Sequence, residues 1–141
     1  VLSGYVLRYP NAGYGGMFRD WANQWDRKPY NSWGNGSAMR VSPVAHFAQN
    51  EQEILALAEQ SSAVTHSHPD AVAGAQATAL TMWLAREGAG IPTMRQAITE
   101  RFGYDLSETV DEIREWYKFD VSCAGTVPQW SSPKKVVHRY S

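Results

Sequence analysis

A short glycine-rich stretch contains the residue types best suited to ligand binding. It reads Ser-Trp-Gly-Asn-Gly-Ser-Ala-Met-Arg over residues 32–40. Gly34 and Gly36 flank Asn35, and glycine permits tight or left-handed turns that a side chain would obstruct. We expect Ser37 to cap a following helix, and the N–H groups and dipole at a helix start favour an anion. The stretch therefore predicts a loop for a phosphate or a polyhydroxyl ligand; the alternative is a turn without a ligand.

Histidines and an aspartate form a second candidate group. His66, His68 and Asp70 alternate along the chain, and together with His46 they offer enough nitrogen and oxygen atoms for a divalent metal ion. The signal is weak, because a zinc site normally has more ligands at firmer spacing. Histidines beside a helix start are more often caps, hydrogen-bonded core residues or surface residues, so we predict no metal site.

Other catalytic chemistry has little support in the sequence. Cys123 is the single cysteine, which excludes an internal disulfide and favours a reducing, cytoplasmic environment. A nucleophilic role for Cys123 has no local context beyond the presence of histidines. No serine lies in a nucleophile elbow, and no phosphate-binding loop with lysine occurs. Because the acidic residues are scattered without a compact pair, the catalytic residues stay unassigned.

Length and composition indicate one globular domain rich in aromatic residues. The chain has 141 residues, among them six Trp and seven Tyr, a length typical of one domain. Its formal net charge of −1 gives no electrostatic reason to expect nucleic acid or an acidic membrane as a partner. No stretch approaches the length of a membrane span, and the first residues lack the pattern of a leader.

Periodicity and capping residues predict the helices that position these groups. Residues 1–16 are predicted to be irregular, because proline and glycine crowd together there. Helices are expected over residues 17–25, 51–61, 69–87, 93–102 and 107–116. Phe18, Trp21 and Trp25 are expected on one face of the first of these helices. The Ala-rich helix from Pro69 should be central and buried. With no strand alternation, the fold class is all-α.

A series of motifs resembles the middle of the ADP-ribosylglycohydrolases. They are Pro-Asn-Ala-Gly-Tyr-Gly at 10–15, the stretch from Ser32 to Pro43, Thr-His at 65–66 leading into Gly-Ala at 74–75, and Gly-Thr-Val-Pro at 125–128. The Gly-Asn-Gly-x-Ala-Met-Arg core is quite specific. The resemblance implies a compact multi-helix all-α fold, with residues 1–128 as the central part of the helical domain and residues 129–141 as an atypical tail.

The resemblance also implies a ligand and a reaction. Members of this family bind ADP-ribose in a cleft, where a pair of magnesium ions activates water to hydrolyse the glycosidic bond of an ADP-ribosylated substrate. By position, Ser32, Gly34 and Asn35 resemble the loop that holds the diphosphate and ribose. Trp33 corresponds to the aromatic residue beside that loop, and His66 to the contact on the ribose side.

The sequence departs from the family at its metal ligands. The early Thr-Asp-Asp and the late Gly-Asp-x-Asp-Thr segments do not occur, and hard cations need several oxygen donors held together. We therefore expect a truncated core that alone is catalytically incomplete and binds no magnesium. The alternative is a non-catalytic structural or interaction module that keeps only the helical scaffold. Since truncation exposes apolar faces, we expect a homo-oligomer.

Overall fold

The structure is a computed structural model that describes residues 1–127. Over this range the chain forms helices and no strand, with one isolated antiparallel bridge between Gly34 and Ser122. The helices are α1 Leu2–Arg8, α2 Gly16–Asn23, α3 Gly36–Arg40, α4 Val44–Phe47, α5 Glu51–Ala63, α6 Pro69–Arg86, α7 Ile91–Phe102, α8 Val110–Trp116 and α9 Cys123–Thr126. The predicted all-α class is confirmed.

The Ala-rich helix α6 is the centre of the fold, as predicted. It contacts α3, α4, α5, α7 and α9, and small side chains permit this close packing. Gly74 shows the constraint most clearly, because a Cβ built on it would lie 2.8 Å from Cys123 Sγ of α9. The main apolar core surrounds α6 and includes Val41, Ile54, Ala58, Ala75, Ala79, Leu80 and Ile98.

Capping residues define the ends of α5 and α6. The Asn50 side chain accepts a hydrogen bond from Glu53 N at 2.9 Å, as the capping signature predicts, and α5 extends two residues beyond its expected end at Ser61. His68 is the N-cap of α6, where its Nδ1 accepts from Asp70 N at 3.2 Å. Just beyond the end of α6, Gly88 adopts a φ of +85°, the left-handed conformation expected there.

Helices α7 and α8 form where they are predicted, with shifted starts. Helix α7 begins at Ile91, before the expected cap Thr93, because Pro92 fits the first turn of a helix. It ends at Gly103, whose φ is +68°. The cap of α8 is Thr109, which exchanges hydrogen bonds with Glu112 in a capping box, so the expected start at Ser107 is too early.

The N-terminal region differs from the sequence prediction. Residues 2–8 form α1, so the prediction of an irregular segment is wrong there; Pro10 and the glycines at 13, 15 and 16 follow this helix. Val6 of α1 packs with Trp21 and Ala22 of α2 in a second, smaller apolar cluster. Helix α2 ends at Asn23, and Trp25 is 99% exposed. The expected third ring on the apolar face is therefore absent, while Phe18 and Trp21 stack with their centroids 5.6 Å apart.

The described helices are too short or too polar to span a membrane, and the predicted tail lies beyond them. None of the helices formed by residues 1–127 is long and apolar enough to cross a lipid bilayer. The predicted tail, residues 129–141, lies outside the described residues. The division of the chain at residue 128 therefore stays a prediction.

Candidate functional site

The glycine-rich loop is held between two other segments of the chain. On one side Asn35 N donates to Val121 O at 2.8 Å, and Cys123 N donates to Trp33 O at 3.0 Å. On the other side Ser32 N donates to Thr65 O at 3.3 Å. These backbone bonds pin the loop at both ends, so its shape is set before any ligand arrives.

The polar side chains of the loop also bond within the protein. Ser32 is buried, and its Oγ accepts from Gly34 N at 3.2 Å. The Asn35 side chain donates from Nδ2 to Thr126 Oγ1 at 3.1 Å. Trp33, between them, is half-buried. Ser32 and Asn35 thus stabilise the conformation of the loop that contains Trp33 and Gly34.

The expected role of Ser37 is wrong. The N-cap of α3 is Asn35, without a capping side-chain hydrogen bond. Ser37 lies inside the helix, where it is buried and donates from Oγ to Ala71 O of α6 at 3.0 Å. Because α3 has only five residues, its dipole is short and gives little support to an anion site at its start.

His66 packs against the glycine-rich loop, where its ring lies close to the backbone. It is 6% exposed, and its Nε2 is 3.0 Å from the position that a Cβ would take on Gly36 and 3.7 Å from that on Gly34. Neither glycine has a positive φ, so of the two conformations that the sequence allows, left-handed or tightly turned, the left-handed one does not form. Glycine is favoured at position 36 because the imidazole approaches the backbone closely there, whereas at Gly34 the nearest atom to the Cβ position is Ser32 Oγ, at 3.3 Å. The structure thus brings together Gly34, Gly36 and His66.

A chain of hydrogen bonds leads from α3 to this histidine. Arg40 Nη2 donates to Thr65 Oγ1 at 2.8 Å and to Ser61 O at 2.8 Å. Thr65 Oγ1 lies 2.6 Å from His66 Nδ1, and Ser62 Oγ donates to His66 O at 2.8 Å. We call Arg40, Ser62, Thr65 and His66 the polar cluster. Neither Arg40 nor Thr65 is a predicted site residue, although both stand in the quoted motifs.

Burial and charge determine the protonation of the cluster. Burial and, to a smaller extent, the nearby positive charge of Arg40 together lower the pKa of His66 from 6.5 to about 4. His66 is therefore neutral at pH 7. Tyr30, whose ring centroid is 6.0 Å from that of His66, has a pKa raised by burial, partly offset by Arg40 and by a hydrogen bond with Thr65. His66 and Tyr30 are thus both neutral at pH 7, beside the positive charge of Arg40.

The other histidines of the candidate metal group do not join His66. His68 caps α6, which is one of the roles that the sequence favours for it, and His46 is exposed on α4. Within the part of the chain that the structure describes, no group of three or more His, Cys, Asp or Glu side chains could hold a metal ion. Residues 1–127 therefore do not fit the magnesium pair that the family resemblance implies.

Cys123 has a structural environment. It is buried against Gly74, and its Sγ lies 3.5 Å from Ser37 Oγ and donates to Gly34 O at 3.4 Å. Burial raises the pKa of its thiol, which keeps it protonated and poorly nucleophilic. Cys123 packs α9 against α6 and the loop.

A cavity of about 550 Å³ lies beside the loop but does not include the polar cluster. Its apolar lining comes mainly from α3, α6 and α7, with Met39, Met82 and Met94 among the residues. Asn35 borders it from the loop. This cavity beside the loop is thus mainly apolar, and His66 is not among its lining residues.

Residues 1–127 thus form a helical domain in which a glycine-rich loop, held by backbone hydrogen bonds, packs over a buried neutral histidine. The chain matches the ADP-ribosylglycohydrolase family over residues 4–140, nearly its whole length. The protein therefore belongs to this family, as its motifs indicate. No solved structure matches the chain.

Proposed function

We propose that this ADP-ribosylglycohydrolase-like protein binds ADP-ribose, free or attached to a substrate, through Ser32, Trp33, Gly34, Asn35 and His66. The observation that carries the proposal is the position of His66 Nε2 directly under the two loop glycines. Because Gly34 and Gly36 carry no side chains, the imidazole lies close to the backbone of the loop. Family membership supports the ligand class, and the closeness of His66 to the loop supports this location.

Each proposed contact has a physical basis. A neutral imidazole bonds well to sugar hydroxyls, and His66 is neutral at pH 7 because its pKa is about 4. The Trp33 ring, half-buried beside the loop, provides a surface for the adenine base. Stacking of a base on an aromatic side chain contributes roughly 1–3 kcal/mol. The loop is held by backbone bonds on both sides, so its ordering costs little when the ligand binds.

Calorimetric titration with ADP-ribose tests this proposal. We expect Trp33→Ala and His66→Ala each to weaken binding by about tenfold, since each removes a contact worth on the order of 1 kcal/mol. The chain offers matched controls: Trp25→Ala changes a fully exposed tryptophan and His46→Ala an exposed histidine. Both controls should leave the affinity unchanged. Absence of heat at millimolar ADP-ribose with a folded protein would refute binding and favour a scaffold that has lost its ligand.

We propose further that the chain alone does not cleave the glycosidic bond. This is supported by the lack, within residues 1–127, of any group of three or more side chains able to hold a metal ion; magnesium needs several oxygen ligands at fixed geometry. Incubation with an ADP-ribosylated peptide and magnesium should release no ADP-ribose. Release that disappears on addition of EDTA would overturn this proposal and show that the chain is a hydrolase.

Association and location belong to the same proposal. We propose a homo-oligomer because large apolar side chains are exposed, among them Met39 at 76% and Ile91 at 66%, and association commonly covers such surface. Light scattering at micromolar concentration should give a mass above that of one chain, and a clean monomer would contradict this. The single cysteine supports a cytoplasmic location, which fractionation of cells tests directly.

A further inference from the structure

We propose that Thr65, anchored by Arg40, is a positioning residue that holds His66 in the tautomer carrying its proton on Nε2. Nδ1 then accepts a hydrogen bond from the Thr65 hydroxyl. The N–H group of Nε2 faces the underside of the glycine loop. The expected effect on ligand binding rests on the proposed function. The tautomer of His66 is a property of the protein without ligand.

Arg40 fixes the position of the threonine. Its guanidinium donates to Ser61 O, Ser62 O and Thr65 Oγ1, at 2.8, 3.3 and 2.8 Å. The two carbonyls belong to the last turn of α5, where a cation also interacts favourably with the helix dipole. All three bonds come from Nη2, whose two N–H groups lie in the guanidinium plane; the shorter two go to Ser61 O and Thr65 Oγ1, and Ser62 O at 3.3 Å shares a donor. Arg40 therefore locates Thr65 Oγ1 relative to α5. Thr65 is itself fully buried, so the hydroxyl has little freedom to move.

The hydrogen-bond donors and acceptors around Thr65 indicate that its hydroxyl donates to His66. A guanidinium only donates, so the hydroxyl oxygen of Thr65 accepts from Arg40. Tyr30, which also bonds Thr65, keeps its phenolic proton at pH 7 because burial raises its pKa, and it can donate that proton to the second lone pair of the same oxygen. The hydroxyl proton of Thr65 is then left for another acceptor. The nearest nitrogen is His66 Nδ1, at 2.6 Å, a short distance that suits an O–H donor polarised by a neighbouring cation. When Nδ1 accepts, a neutral imidazole must carry its proton on Nε2.

The tautomer decides what the site can recognise. Nε2 lies 3.0 Å from the Cβ position of Gly36 and 3.7 Å from that of Gly34, and among residues 1–127 it has no hydrogen-bond partner. A donor at this position matches an acceptor oxygen of the ligand, such as a ribose hydroxyl or a phosphate. With the opposite tautomer, Nε2 would only accept and would repel a phosphate oxygen. The cluster thus selects for ligands that present an acceptor under the loop.

Nitrogen NMR of the histidine side chains tests the tautomer without any ligand. In the unaltered protein at pH 7, His66 should show an acceptor-type Nδ1 and a protonated Nε2, and comparison with His66→Gln assigns its signals. In Thr65→Val, which has similar volume but no hydroxyl, we expect the two tautomers to be mixed. Thr65→Ser keeps the hydroxyl and should restore the single tautomer. A protonated Nδ1 in the unaltered protein would overturn the inference even if the valine variant did not fold.

Binding measurements complete the test. If ADP-ribose binds, Thr65→Val should weaken it by about fivefold to tenfold, the loss of one oriented hydrogen bond, and Thr65→Ser should restore it. A valine variant that shows mixed tautomers but unchanged affinity would overturn the positioning role. If the unaltered protein binds no ADP-ribose, the proposed function fails while the NMR result still decides the tautomer.

Discussion

The polar cluster and the apolar core are built on the same helix face but are stabilised differently. Ile54, Ala58 and Ser62 are spaced by four residues on α5, and all are fully buried. The first two pack in the main core, whereas Ser62 donates to His66 O in the polar cluster. Core packing depends on buried area and is insensitive to pH. The polar cluster depends on directional hydrogen bonds and on a neutral histidine. Its contribution to stability is therefore sensitive to pH and to the loss of a single donor or acceptor atom.

Cavity formation in the core gives the largest expected effect. Leu80, buried on α6, loses its packing in Leu80→Ala, and we expect the free energy of unfolding to fall by about 2–5 kcal/mol. Leu7→Ala, at an exposed leucine of α1, is the matched control and should cost far less. Urea unfolding measures both. The loss at Leu80 should be the same at pH 5 and pH 7; a strong pH dependence would break the contrast with the polar cluster.

Acidification is expected to act through the polar cluster. The folded-state pKa of His66, about 4, lies below its ordinary value of 6.5, so the unfolded chain binds the proton more tightly. The stability contributed by neutral His66 is present above pH 6.5 and is lost as the pH falls towards 4. The full loss is at most about 3 kcal/mol.

The His66→Gln variant isolates this effect. Urea midpoints of both proteins between pH 7 and pH 4.5 should converge as the pH falls, because only the unaltered chain pays for protonating His66. Parallel curves would show that His66 does not titrate differently in the folded and unfolded states.

The close contact of Gly74 with Cys123 joins α6 to α9, and overcrowding it is expected to have a smaller effect. In Gly74→Ala the new Cβ would lie 2.8 Å from Sγ, so α9 must shift. We expect a loss of about 1–2 kcal/mol, because overpacking outweighs the helix propensity gained from alanine. Gly4→Ala, in α1 with open space around it, should be neutral or stabilising. Thermal unfolding compares them, and equal behaviour would show that α6 and α9 are not closely packed.

The sequence predicted helix ends well where a capping residue, a proline or a glycine determines the end by its own chemistry. Asn50, Pro69 and Gly103 mark helix ends by their own chemistry, and the structure uses them so. The site was less accessible to prediction. The reason for Gly36 is a histidine thirty residues away in sequence, a long-range contact that periodicity cannot show. Helix α1 is likewise stabilised by packing on α2, and tertiary burial of this kind overrides local propensity.

Removing the α5 cap gives the smallest expected effect and separates stability from binding. Asn50→Ala removes the acceptor of Glu53 N at the far end of α5 from Ser62, and should cost about 1 kcal/mol. Thr65→Val should cost a similar amount, because it leaves buried hydrogen-bonding groups unpaired. The two variants should differ in ADP-ribose affinity, with Asn50→Ala unchanged and Thr65→Val weakened. Equal loss of affinity in both would mean that binding follows overall stability, and the special role of the polar cluster would be lost.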